Sequence, residues 1–209
     1  MKNILCYGDS NTWGYVPGAG QRFPWESRWP GILQQSLGNT FHIIEAGLNG
    51  RTTVFDEPGK AGRNGLTSLG PVLDSCPPLA MVIVMLGTND LKHHLGASAS
   101  ETARGIERLI EVIEAYSAAV LRDKPQILIV SPPGIRFGAL ASDSLFQGAA
   151  EKLCEYPRLF SAVAAARGCH FLDAAQCVNP SVVDGVHLDE QGHLRLARMI
   201  ARTLIPLSR

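Results

Sequence analysis

NILCYGDSNTWG, residues 3–14, passes from an apolar run straight into Gly8-Asp9-Ser10. The run is nearly continuous in apolar residues rather than alternating, the pattern of a strand covered on both faces. Such a strand can empty into a polar tripeptide for two reasons. Ser10 can cap a following helix, or it can be a nucleophile held at the edge of a sheet. The rest of the chain has to decide.

Four more runs share the pattern of 3–7: FHIIEA (41–46), AMVIVML (80–86), QILIVS (126–131) and CHFLDA (169–174). Helical spacing fills the intervals. Between 101 and 121, Ile106, Leu109, Ile110, Ile113, Ser117 and Val120 fall on one stripe, opposite mostly charged positions. Ser98 and Glu101 have the spacing of a capping box at its start. A last helix over 190–204 presents Leu194, Leu196, Ala197, Ile200, Ala201 and Leu204, with His193 expected in solvent. Pro157 predicts a break or kink near Tyr156 in the helical region 144–167. The Gly/Pro-rich stretches 17–31 and 57–71 read as long loops. Strands alternating with helices predict an α/β fold: a five-stranded parallel sheet in a three-layer α/β/α sandwich, formed by residues 1–209 as one domain.

Composition narrows the partners. Lys+Arg and Asp+Glu are equal at 19 each, with no basic stripe, which argues against nucleic acid. A neutral surface leaves room for self-association. No run reaches the ~20 apolar residues of a membrane span. MKNILCYGDS leaves no space for a signal peptide before Ser10, so the expected location is cytoplasmic. Five cysteines, none in a C-x-x-C pair, are expected as reduced and mostly buried thiols.

Ligands in parallel sheets bind outside the carboxyl ends of the strands. Polar groups follow four of the five strands: Gly8-Asp9-Ser10, Gly47-Leu48-Asn49-Gly50, Gly87-Thr88-Asn89-Asp90, and Asp184-Gly185-Val186-His187. Ester cleavage needs this set. A serine hydroxyl is a weak nucleophile and requires a base. Histidine can serve as that base at neutral pH, so activity is expected to rise through about pH 6–7. A carboxylate fixes the ring, and two residues separate Asp184 from His187, the span of one tight turn. Preset donors must receive the oxyanion, and the candidates are the Ser10 amide, the Gly50 amide and the Asn89 side-chain amide. Each block also has a bland reading. Gly50 can be a turn glycine, Asn89-Asp90 a self-bonding loop pair, and Asp184–His187 an Asx-turn before the last helix. The combination after strands of one sheet outweighs the separate readings.

The other histidines are weaker candidates. His42 and His170, within strands, are expected to make structural hydrogen bonds. His93 and His94 could hold a metal as a pair, but no third ligand has suitable spacing.

G-D-S near the N-terminus, a glycine in the second block, G-T-N-D in the third and D-x-x-H near the C-terminus resemble the SGNH hydrolases, or GDSL esterases. GDSNTWGY, RWPGILQQ, EAGLNGRTT, MLGTNDLK and DGVHLDEQG look most like the bacterial arylesterase/acyltransferase branch. The resemblance implies a flavodoxin-like fold and neither metal nor other cofactor. It implies Ser10 as nucleophile, His187 as base and Asp184 as its orienting partner, with an oxyanion hole from Ser10, Gly50 and Asn89. Members of that branch often form oligomers, so the resemblance implies a homo-oligomer, and some members transfer acyl groups to alcohols in water.

Asp9, Trp13, Tyr15 and Val186 are candidate substrate contacts. Trp25, Phe137 and Phe146 are further candidates for shaping the pocket, whereas Trp29 is expected in the core. Crowding near the nucleophile suggests small acyl groups such as acetyl. The expected partners are therefore a small ester and water or an alcohol as acceptor. Two rival readings use the same residues differently. A metal-dependent phosphoesterase would take Asp9, Asn89, Asp90 and His187 as ligands. A non-catalytic flavodoxin-like binding module would leave the Asp184–His187 pair idle.

Overall fold

The computed structural model describes residues 1–120, 124–138 and 144–204, the side chains of 119 and 120 excepted. Five strands form one sheet: β1 (Lys2–Gly8), β2 (Phe41–Gly47), β3 (Leu79–Met85), β4 (Gln126–Ser131) and β5 (His170–Asp173). All neighbours are parallel, in the order β2-β1-β3-β4-β5. The helices are α1 (Ser10–Trp13), α2 (Trp29–Leu37), α3 (Gly65–Asp74), α4 (Ala99–Val120), α5 (Ala149–Arg167) and α6 (Glu190–Leu204).

Successive side chains of a strand point to opposite faces, and here both faces are buried. Leu5, Tyr7, Val82, Val84, Ile127 and Ile129 join a core with α3, α4 and α5. Ile4, Cys6, Met81, Ile83, Leu128 and Val130 join a second core with α2 and α6. This two-sided burial is why the strands read as continuous apolar runs, and it produces the three layers. Each fully buried Leu or Ile stabilises by roughly 1.5–3 kcal/mol.

The chain leaves β1 toward β2 on one side and passes to β3, β4 and β5 on the other. The direction reverses at β1/β3. Outside the carboxyl ends of those two strands a crevice opens, and the loops beginning at Gly8 and Gly87 border it.

Several expectations change. The region around Pro157 is one uninterrupted helix. Tyr156 and Phe160, both buried and stacked 4.8 Å apart, pin that turn to the body of the protein. Tertiary packing thus keeps α5 continuous through a residue that lacks an N–H. Within 144–167 the helix begins only at Ala149; residues 139–143 lie outside the described residues. The stretches taken as loops contain helix starts. Trp29 begins α2, with Pro30 at a position where a missing N–H costs little. Asn64 caps α3 by accepting from Leu66 N and Thr67 N. The Ser98–Glu101 box forms in both directions, with Ser98 N to Glu101 Oε2 at 2.9 Å and Glu101 N to Ser98 Oγ at 3.2 Å.

His193 is fully buried rather than solvated. It lies on the face of α6 that packs against α2, and its Nδ1 accepts from Trp29 N at 3.3 Å. His42 is exposed on the edge strand β2. All five cysteines are free thiols, but only Cys6 is fully buried, and Cys154 is exposed on α5. Trp29 is in the core, as expected. No helix among the described residues is long and apolar enough to cross a membrane.

Candidate active site

Gly8 ends β1 because nothing larger fits. A Cβ there would lie 2.1 Å from Thr12 Oγ and 2.9 Å from Met85 O. The chain then turns at once into α1. Asp9 caps that helix by accepting from Asn11 N at 2.9 Å. The capping role weighed for Ser10 therefore belongs to Asp9. Ser10 becomes the first helical residue, and its N–H has no intrahelical partner.

The far end of the chain comes to meet it. His187 Nε2 lies 2.9 Å from Ser10 Oγ, and His187 Nδ1 lies 2.7 Å from Asp184 Oδ2. The carboxylate accepts at Nδ1, so that nitrogen carries the proton of the neutral ring and Nε2 is left to accept from the serine hydroxyl. Asp184 also forms the Asx-turn weighed as its bland reading. Its Oδ1 accepts from Val186 N and His187 N, each at 3.0 Å. Gly18 N reaches Oδ2 at 3.3 Å. Burial raises the pKa of the Asp184 carboxyl, but the His187 ring and the two amides outweigh burial and hold it at about 2. Tyr15 stacks on the His187 ring with centroids 4.1 Å apart.

Asn11 fastens the two ends together. Its Oδ1 accepts from Leu188 N at 2.9 Å, and its Nδ2 donates to Val186 O at 3.3 Å. Both bonds span more than 170 residues of sequence, and they hold the histidine turn against the Ser10 turn.

The second and third loops complete the crevice. Gly50 has φ +80°, a conformation L side chains rarely adopt. Among the described residues its N–H meets no backbone carbonyl. Asn89 Nδ2 donates one hydrogen to Arg51 O at 3.0 Å, which leaves its second hydrogen for the cavity. The structure thus brings Ser10, Gly50 and Asn89 together around one space of about 500 Å³. Tyr15, Leu145, Phe146 and Val186 form apolar parts of its wall, and Asn49, Lys60 and Lys92 form polar parts.

Two of the predicted substrate contacts do not line that space. Asp9 is buried beneath the Ser10 turn, where desolvation raises its carboxyl pKa. The Trp13 ring is covered by the Arg22 guanidinium, 5.1 Å from its centroid. Asp90 is also turned inward. It accepts from Thr53 N and the Thr53 hydroxyl, and burial pushes its pKa up to about 6. Asp9 Oδ1 and both Asp90 oxygens, which a two-metal site would use, thus already accept from protein donors. His94 is paired with Glu57 at 2.7 Å, and Lys92 binds the other oxygen of that carboxylate at 2.5 Å. Sequence reasoning missed Asn11, Arg51 and the Lys92–Glu57–His94 cluster. The one signal for Arg51 was a charged residue directly after the second-block glycine.

Residues 6–195 match the GDSL-like lipase/acylhydrolase family. The chain belongs to that family. Solved structures agree with this assignment. A carbohydrate acetylesterase from Sinorhizobium meliloti is 36% identical, with a TM-score of 0.94 over 99% of this chain and 100% of that one. The native aryl esterase of M. smegmatis is 35% identical, with the same TM-score and coverage. A member of the lipolytic G-D-S-L family from Veillonella parvula, at 20% identity and a TM-score of 0.71 over 99% of each chain, shares the fold. No curated protein matches significantly. The five-stranded parallel sheet of this GDSL-like chain is the architecture of those neighbours.

Proposed function

We propose that this protein is a serine esterase acting on small carboxylic esters through an acyl-enzyme, with residues 1–209 as one catalytic domain. The observation that carries the reading is the continuous chain of contacts from Asp184 through His187 to Ser10, at 2.7 and 2.9 Å. Ester hydrolysis by the acetylesterase and aryl esterase neighbours supports the same chemistry.

Ser10 Oγ attacks the ester carbonyl as its proton passes to His187 Nε2. The carbonyl oxygen becomes an oxyanion received by the amides of Ser10 and Gly50 and by Asn89 Nδ2. The imidazolium, stabilised by Asp184, then protonates the leaving alkoxide as the C–O bond breaks. Water attacks the acyl-enzyme with His187 again as base, and the acid is released. An alcohol entering the same position accepts the acyl group instead, which gives a new ester. Tyr15, Phe146 and Val186 narrow the cavity that holds Ser10, so the preferred acyl group is short, with acetyl as the type.

Replacing Ser10 by Ala tests the reading. Turnover of p-nitrophenyl acetate should fall at least ~10³-fold, and labelling by a fluorophosphonate should vanish while the thermal midpoint stays close to that of the wild type. Normal turnover in that variant would remove Ser10 from the chemistry. A series of p-nitrophenyl esters peaking at eight carbons or more would contradict the short acyl preference. Product analysis of vinyl acetate with and without added alcohol measures transfer.

A further inference from the structure

Arg51 lies directly after Gly50 and is only 4% exposed. Its Nη1 donates to Gly8 O at 2.8 Å and also to Ala46 O. Those carbonyls end β1 and β2. Its guanidinium lies over the Tyr7 ring, 4.1 Å from the centroid. Its N–H donates to Leu48 O at 3.0 Å, and Leu48 N returns to Gly8 O at 3.1 Å. Its own carbonyl accepts from Asn89 Nδ2 at 3.0 Å.

One residue therefore touches the supports of all three oxyanion donors. Gly8 precedes Ser10 by two residues, Gly50 is the adjacent residue, and Asn89 is bound directly. Thr53, two residues further along, is locked to Asp90 in the third loop. The bond from Asn89 also fixes the sense of that amide. Arg51 O can only accept, so Nδ2 and not Oδ1 must stand beside it. An oxyanion hole stabilises the transition state only when its donors are set before charge develops. A buried cation is costly without polar partners. Here the partners are carbonyls at strand ends, and the guanidinium charge also acts on the buried Asp9 carboxylate.

We propose that Arg51 is the positioning residue of the oxyanion hole: it sets the spacing of the Ser10, Gly50 and Asn89 donors by tying the second loop to β1, β2 and the third loop. The inference rests on the esterase reading above. Arg51 touches no reacting atom, so its effect must pass through the donors it holds.

A double-mutant cycle tests it with the full chain and p-nitrophenyl acetate. Arg51→Met should lower kcat by about 10- to 100-fold, somewhat less than outright loss of one donor. KM should stay within about twofold, and the acid limb of the pH profile should not move, because Asp184 and His187 are untouched. In an Asn89→Ala background the same change should cost several-fold less, since one of the donors it positions is already gone. Arg51→Lys, which keeps the charge and an N–H donor, should recover part of the lost kcat. If Arg51→Met does not fold, the cycle is run with Arg51→Lys. Losses that simply multiply in the double variant would overturn the proposal, as would an unchanged kcat or a loss confined to KM. Wild-type turnover that disappears in Ser10→Ala tests the esterase reading separately, so a multiplicative cycle in an active enzyme sinks only the role of Arg51.

Discussion

Asn11 directly follows Ser10 and binds two backbone groups of the histidine turn, Val186 O and Leu188 N. Ser10 and His187 are far apart in the chain, and these two bonds help bring them into register, alongside the Gly18–Asp184 bond and the Tyr15–His187 stack. Asn11→Ala leaves a buried N–H and a part-buried C=O without their partner. A loss of about 1–3 kcal/mol in stability is expected, together with a fall in kcat of tenfold or more as the base drifts from the hydroxyl. Denaturant unfolding and aryl acetate turnover check both. A variant of wild-type kcat would show that the Asp184 turn holds His187 unaided. Asp184, His187 and Ser10 were legible in the sequence because each sits in a short motif with its own local reason. Asn11 and Arg51 were not, because most of the groups they bind are backbone atoms, which carry no residue identity, and several of those lie far away in the chain.

Among the elements, α5 departs furthest from its local preference. Pro157 removes one N–H from the helical ladder, yet the helix runs unbroken from Ala149 to Arg167. The Tyr156 hydroxyl donates to Gly87 O at 3.1 Å, which anchors the turn beside the third loop. Pro157→Ala should restore the missing bond and raise stability by about 1 kcal/mol or more, read as a higher thermal midpoint. A lower midpoint would mean that packing of the half-buried ring outweighs the lost hydrogen bond. The strands, by contrast, were readable almost to the residue. A strand buried on both faces must be apolar throughout, and that pattern survives in a single sequence. Helix starts at Trp29 and Gly65 were hidden by prolines and glycines, which mark turns and first helical turns alike.

Across the molecule, two buried ionisable groups pull stability in opposite directions with pH. Burial lowers the His193 pKa to about 4 from 6.5, with Asp189 opposing and Arg28 and His187 adding to the depression. Between those values the unfolded chain takes up a proton that the fold refuses, so this contribution is full above pH 6.5 and is lost as pH falls toward 4. Burial raises the Asp90 pKa to about 6 from 3.8. The fold then holds a proton the unfolded chain releases, so this contribution is full below pH 3.8 and is lost as pH rises through 6. Urea midpoints at pH 4.5 and 7.5 separate them. His193→Gln should gain stability relative to wild type at the lower pH, and Asp90→Asn should gain at the higher. Parallel pH profiles for a variant and the wild type would remove that residue from the account.

The order of strands and helices, the three layers and the four polar blocks follow from the sequence alone, because burial on two faces and turn chemistry act over a few residues at a time. The tertiary structure decided which groups point into the cavity and which hold it from behind. It turned Asp9, Asp90 and His193 inward, set Asn11 and Arg51 as fasteners, and kept α5 continuous through a proline. Those outcomes depend on partners supplied by remote backbone and on the loss of water around each side chain, and neither is encoded within a local stretch of chain.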